Sequence, residues 1–118
     1  MTQTIAQFRS PNPQAQKIHD ELFPGHISTL AGTDPELIEV FDNFAFDETL
    51  RDSQLETKVR LLVQLAAIIA SQAVNEYRAI LGGALNVGVT AVEAKESLVP
   101  SCAVRRHRQG LRLPSRHK

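Results

Sequence analysis

Apolar side chains recur along the chain at helical spacing, and no stretch alternates apolar and polar residues in the way that a half-buried strand requires. The segment after Asp34 shows the spacing clearly. Its apolar residues lie three and four positions apart: Leu37, Ile38, Phe41, Phe44 and Ala45. The pattern predicts an all-α fold of five to six helices.

Residues that favour helix ends divide this pattern into elements. Asn12 and Asp34 each precede a proline, which suits a capping side chain followed by proline at the first helical position. We expect the first of these helices to end near Leu22, before the sequence Phe-Pro-Gly.

Two capping boxes, Ser53 with Glu56 and Thr90 with Glu93, predict two further helix starts. The first box precedes the strongest apolar segment of the chain, which we expect to be helical from Gln54. From residue 61 to residue 70 that segment is apolar on nearly every side. Such a helix is normally buried all round, and so few helices can hardly cover it. We therefore expect partner subunits to do so, in a homo-oligomer.

The next helix, from about Ala73 to Val87, carries two adjacent glycines, and Gly88 provides its stop. Each glycine inside a helix costs about 1 kcal/mol relative to alanine. Gly82 and Gly83 either let another helix approach closely or leave room for a ligand, and the first interpretation is favoured.

Composition narrows the classes of function. A chain of 118 residues suits one domain. No signal peptide is recognised, and the longest apolar run is too short to cross a bilayer, so we expect a cytoplasmic protein without membrane contact. Cys102 is the only cysteine, which excludes an internal disulfide. Neither metal-ligand spacing nor a phosphate-binding loop occurs, so no metal and no cofactor are expected.

Charge is distributed unevenly although the net charge is zero. Residues 1–99 hold all 13 acidic residues and 7 Lys and Arg, a net charge of −6, whereas residues 100–118 hold 6 Lys and Arg and no acid, a net charge of +6. We therefore divide the chain into a domain, residues 1–99, and a basic tail, residues 100–118, expected to be disordered. The tail has no aromatic residue for base stacking, so no nucleic-acid partner is expected.

The segments "LETKVRLLVQLAAIIAS" and "ALNVGVTAVEAKE" resemble the carboxymuconolactone decarboxylase family, which includes the alkylhydroperoxidase-like proteins. The family commonly has Leu-x-x-Lys-x-Arg before its long helix, and a small residue four positions before Gly-x-Thr. The resemblance covers most of residues 15–98. It implies an alkylhydroperoxidase-like fold centred on a helix hairpin, and obligate oligomers, often trimers or hexamers.

The residues that the resemblance assigns to catalysis are absent from this chain. The peroxidase branch has Cys-x-x-Cys followed by His, and these positions hold Ala73, Glu76 and Ile80 here, while its catalytic Glu is replaced by Leu61. Thiol peroxidase chemistry requires an attacking thiolate, so it is disfavoured. The decarboxylase branch uses the same His for proton transfer, so that mechanism is disfavoured as well.

Other polar residues near this region are candidates for a site. Glu76, expected in the first turn of its helix, would act as a general base if it were buried, and Arg60 would hold a substrate carboxylate. Tyr77, Arg78 and Gly83 are candidates for substrate binding. The competing interpretation is that the charged residues lie on the helix surface or pair across the hairpin, and that Tyr77 belongs to the core.

Two hypotheses on function remain open. The first is an enzyme that acts on a small carboxylated or lactone-type molecule, and the second is a non-catalytic oligomeric scaffold that kept the fold. His19 and His26 are the only histidines outside the tail, and His26 is expected in an exposed loop, where a site shared with a partner subunit is a minor alternative.

The tail suggests an unusual origin. If the reading frame is shifted by one base, codons that encode Val99 onward permit a long run that resembles the family's usual C-terminal sequence. We hypothesise that one inserted base near the Leu98 codon produced an out-of-frame tail, which would pack little. Sequencing the gene tests this hypothesis, because no single-base change would restore the family-like ending if it were wrong.

Overall fold

The computed structural model describes residues 10–111, together with the side chains of residues 10–107. All regular elements in this range are helical, and the range contains no strand, which confirms the all-α prediction. None of its helices has the length and apolar character needed to cross a membrane. The chain forms two compact units, which divide between Gln54 and Leu55.

The first unit contains helix α1, Pro13–Leu22, and helix α2, Pro35–Phe46, which pack against each other. Short 3-10 turns follow them at Thr29–Gly32 and Glu48–Leu50. Both predicted N-caps form. Asn12 Oδ1 accepts from the backbone N–H of Ala15 at 2.8 Å, and Asp34 Oδ1 accepts from that of Leu37 at 3.4 Å.

Polar side chains join the start of α1 to the end of α2. The backbone N–H of Asn12 donates to Asn43 Oδ1 at 2.8 Å, and its side-chain amide donates to Asp47 Oδ2 at 2.9 Å. Arg51 donates to both carboxylate oxygens of the buried Asp47. These hydrogen bonds, from Arg51 first and Asn12 second, hold the pKa of Asp47 below its ordinary value.

The second unit contains three helices: α3, Thr57–Ala70; α4, Val74–Asn86; and α5, Ala91–Leu111. Helix α3 lies against both of the others. Leu61 and Leu65 on α3 are buried almost completely, and they form the centre of this unit with Ala84, Val89 and Ala94.

The predicted start of α3 at Gln54 is wrong, because the helix begins at Thr57. Glu56 occupies the N-cap position and makes no capping hydrogen bond with its side chain. The backbone N–H of Ser53 instead donates to Leu50 O at 3.1 Å, which makes Ser53 part of the turn that closes the first unit. Ser53 is therefore not the N-cap of α3 that the predicted capping box required.

The junction between α4 and α5 forms as predicted. Gly88 has φ +99°, a conformation that favours glycine, and it lies just after the end of α4. Thr90 and Glu93 then make both hydrogen bonds of a capping box, at 2.9 and 3.0 Å. The bond from the Thr90 backbone N–H is the main reason why the pKa of Glu93 lies below its ordinary value, and Lys58 Nζ lies 3.5 Å from the same carboxylate.

The two glycines inside α4 differ in their surroundings. Gly83 is buried, whereas Gly82 is exposed, and a Cβ added to it would meet no described atom within 4 Å. Close packing inside one subunit therefore does not explain Gly82, and approach of a helix from a second subunit stays a prediction.

The prediction of a disordered tail is wrong for residues 100–111, because α5 continues through Pro100 to Leu111. Pro100 has no N–H to donate to Glu96 O, but contacts on both sides of it hold the helix. Ser97 Oγ donates to Leu62 O at 3.1 Å, and Arg105 Nη1 donates to Ala70 O at 3.0 Å, at the end of α3. Residues 112–118 lie outside the described range, and the out-of-frame origin stays a prediction.

Candidate functional site

The candidate site begins at the turn between α3 and α4, residues 71–73. Gln72 has φ +57° in this turn, and the backbone N–H of Ala73 donates to Ile68 O at 3.2 Å. Ala73 is the N-cap of α4, and Glu76 lies in the first turn, as predicted. The partial positive charge of the helix N-terminus favours a carboxylate there.

Glu76 is exposed in the single chain, so the burial that a general base at this position would need is not provided within one subunit. Among the residues that the structure describes, its carboxylate makes neither a hydrogen bond nor an ion pair. The carboxylate is therefore free to contact a ligand or a second subunit.

Arg60 is half-buried in the first turn of α3. It lies ten residues before the end of α3, about 15 Å from the turn at a rise of 1.5 Å per residue, whereas Glu76 lies only about 3 Å beyond the start of α4. The two side chains thus sit near opposite ends of the hairpin, about 12 Å apart along its axis. Within the described range they form no ion pair, so a single subunit does not bring them together.

The other candidates are divided between the faces of α4. Gly83 lies seven residues after Glu76, which puts the two on one face, with Ile80 between them. Tyr77 is half-buried and next to that face, while Arg78 is exposed on a different side of the helix. This face of α4 therefore presents one carboxylate, one aliphatic side chain and one glycine.

A second group of polar residues lies in the first unit and was missed by sequence reasoning. His26 is exposed in the loop after α1, as expected, but its ring also contacts the buried His19 at 3.4 Å between nitrogens. The sequence feature that could have indicated this pair is the spacing of seven residues between the two histidines, across a Phe-Pro-Gly turn. No group of three or more His, Cys, Asp or Glu residues within the described part of the chain is arranged to hold a metal ion.

Comparison with known families identifies the fold that carries these positions. The carboxymuconolactone decarboxylase family model matches residues 35–106, from the start of α2 into α5. The match covers more than half of the chain, so the chain belongs to the carboxymuconolactone decarboxylase family. No curated protein and no solved structure matches the chain.

Proposed function

We propose that this family member acts in the cytoplasm, as a lyase-type enzyme, on a small carboxylated or lactone-type molecule. The match to the family over residues 35–106 is the observation that carries the proposal. Glu76 supplies the acid–base group, and Arg60 binds the substrate carboxylate in two-point contact. Tyr77, Arg78 and Gly83 contact the remainder of the ligand.

Because Arg60 and Glu76 are separated along the hairpin, the proposed site needs residues from a neighbouring subunit to complete it. Exposed apolar side chains support such an assembly: Val74, two residues before Glu76, is 60% exposed, and Val63 on α3 is 55% exposed. Burial of each would contribute about 1.5–3 kcal/mol. The proposed state is a homo-oligomer, a trimer or a hexamer, in which apolar contacts cover the carboxylate of Glu76.

Light scattering at micromolar concentration tests the assembly. The expected mass is that of a trimer or a hexamer, and Val63→Asp is expected to shift it toward the monomer because a charge would be buried at the interface. Ala91→Asp, at an exposed position at the start of α5, serves as the control. A folded monomer of the unaltered chain would contradict the assembly.

Thermal shift with succinate and γ-butyrolactone tests the site. Either probe is expected to raise the Tm of the unaltered protein, and Glu76→Gln is expected to abolish that rise. The matched control is Glu36→Gln, because Glu36 is likewise an exposed acid in the first turn of a helix. A rise of the same size in both variants, or no rise in the unaltered protein, would contradict the proposed site.

Thiol peroxidase activity is not part of the proposal. The peroxidase reaction uses an attacking thiolate and a resolving thiol. The chain has one cysteine, Cys102, which is exposed on α5 and lies away from the first turn of α4 in sequence. Ala73 and Glu76 occupy the positions where the family places its two thiols.

A further inference from the structure

Two histidines of the first unit form a pair in which the ring of His19 is buried and the ring of His26 is exposed. His19 on α1 is only 8% exposed. Its ring packs against Phe23 and Phe46, with centroids 5.7 and 5.5 Å away. His26, in the loop that follows α1, is exposed and lies with its ring centroid 5.6 Å from that of His19.

Both ring nitrogens of His19 have polar partners. Nδ1 lies 2.9 Å from Asp20 Oδ1, and Nε2 lies 3.4 Å from Nδ1 of His26. The hydrogen bond from His19, followed by one from Gln16, lowers the pKa of Asp20. Asp20 is therefore a carboxylate near neutral pH, and a carboxylate only accepts hydrogen bonds.

The positions of the protons follow from this arrangement. Nδ1 of His19 must carry a proton, because its partner Asp20 cannot donate one. In neutral His19 the other nitrogen, Nε2, then bears a lone pair and accepts from Nδ1–H of His26. The remaining nitrogen of His26, Nε2, consequently bears a lone pair on the exposed side of the pair.

We propose that Asp20, His19 and His26 form a proton-transfer site in which Nε2 of His26 removes a proton from a small carbonyl compound. When the new N–H bond forms at Nε2 of His26, the proton at Nδ1 of His26 passes to Nε2 of His19. His19 becomes an imidazolium next to Asp20, and the substrate keeps the electron pair of the broken C–H bond as an enolate. Transfer in the opposite direction returns the proton.

His26 is the catalytic residue of this site, and His19 and Asp20 are positioning residues. Three titratable groups act on His19: Asp20 on its own helix, His26 in the loop, and Asp42 on α2. Asp42 is half-buried, and burial raises its pKa, whereas the charges of the two histidines oppose that rise. An imidazolium at His19 thus lies in contact with the Asp20 carboxylate and within electrostatic range of Asp42.

The surroundings of His26 indicate the class of substrate. The neighbouring Ile27 is 79% exposed, and Phe23 contacts the His26 ring at 6.3 Å between centroids. These apolar groups suit a short carbon skeleton, and a C–H next to a carbonyl is acidic enough for a positioned base to remove. The site goes beyond the function proposed for α4, and its test does not depend on Glu76.

Long-range ¹H–¹⁵N spectra of the full chain, recorded where both rings are neutral, test the arrangement. We expect both neutral rings to carry their proton on Nδ1. Asp20→Asn, in which the amide can also donate, is expected to change the His26 tautomer, whereas Glu21→Gln on the same helix is expected to leave it unchanged. A proton on Nε2 of neutral His26 would overturn the proposal.

Deuterium exchange into the methyl group of pyruvate tests the catalytic step. We expect the unaltered protein to exceed the buffer rate, His26→Gln to reduce exchange to that rate, and Asp20→Asn to shift the pH profile. Because His26 is exposed, we expect His26→Gln to keep the fold, and circular dichroism verifies this. Exchange that equals the buffer rate, or that His26→Gln does not reduce, would overturn the assignment.

Discussion

The two units of the chain are stabilised by different kinds of contact. In the first unit, polar groups join the helices, since Asn12 on one side is bonded to Asn43 and Asp47 on the other. In the second unit, apolar packing around Leu61 and Leu65 forms the centre, and the polar contacts are caps at helix ends and two bonds from α5 to backbone carbonyls of α3. Hydrogen bonds specify direction and partner, whereas apolar burial supplies most of the free energy of folding.

The two candidate sites differ in the same way, in the number of polar partners that surround them. The His19–His26 pair belongs to the polar unit and has its partners within 30 residues of sequence. Glu76 belongs to the apolar unit and has no polar partner among the described residues. The site proposed at His19 and His26 uses partners within one subunit, whereas the site proposed at Glu76 relies on a second subunit.

The largest effect is expected from Leu65→Ala, which removes a fully buried side chain from the apolar unit. The loss should be about 2–5 kcal/mol of unfolding free energy, because a cavity remains where the side chain was. Urea unfolding followed by circular dichroism measures it. Val92→Ala on α5 is the control, and an equal loss in that variant would contradict the 68% exposure of Val92.

Gly88→Ala should have the next largest effect. The positive φ of +99° at this position disfavours any side chain, so we expect a destabilisation of about 1–2 kcal/mol. The lost stability would show that the second unit also depends on one backbone conformation between α4 and α5. A midpoint in urea equal to that of the unaltered chain would refute this interpretation.

Gly82→Ala should act in the opposite direction. The added methyl group meets no described atom within 4 Å, and alanine favours the helix interior by about 1 kcal/mol. We therefore expect a rise in thermal stability. A fall would indicate that a second subunit or a ligand approaches this glycine closely, so the same scan also tests the ligand interpretation of Gly82.

The smallest expected effect is on the pH dependence of the free energy of unfolding. Hydrogen bonds lower the pKa of Asp47 in the first unit and of Glu93 in the second, below ordinary values of 3.8 and 4.5. A carboxyl whose folded pKa is lowered contributes stability above its unfolded pKa, and that contribution is lost as the pH falls through the folded value. Unfolding free energy should therefore decrease with acid below these values.

Asp47→Asn and Glu93→Gln should each reduce this acid dependence, and urea titrations at several pH values measure the slope. Asp42 acts in the opposite sense, because burial raises its pKa and its protonation relieves the cost of a half-buried charge. We expect the larger reduction from Asp47→Asn, since Asp47 has both Arg51 and Asn12 as partners. An unchanged slope in both variants would contradict the assignment.

The sequence predicted those structural features that depend on residues close to one another along the chain. The caps at Asn12, Asp34 and Thr90 form because each side chain reaches a backbone N–H only three residues away. Gly88 likewise follows from the local need for positive φ. The helical class, the end of α4 and the place of Glu76 in its first turn were predictable for the same reason.

Contacts between residues distant in sequence determined the features that the sequence did not predict. α5 passes Pro100 because Ser97 and Arg105 each bond to α3 across 35 residues of sequence. The separation of Arg60 from Glu76 depends on the register of the hairpin, and the His19–His26 pair on the path of the loop after α1. Local sequence determines where a helix can begin and end, but which side chains meet is determined only when the helices pack, because those contacts join residues distant in the chain.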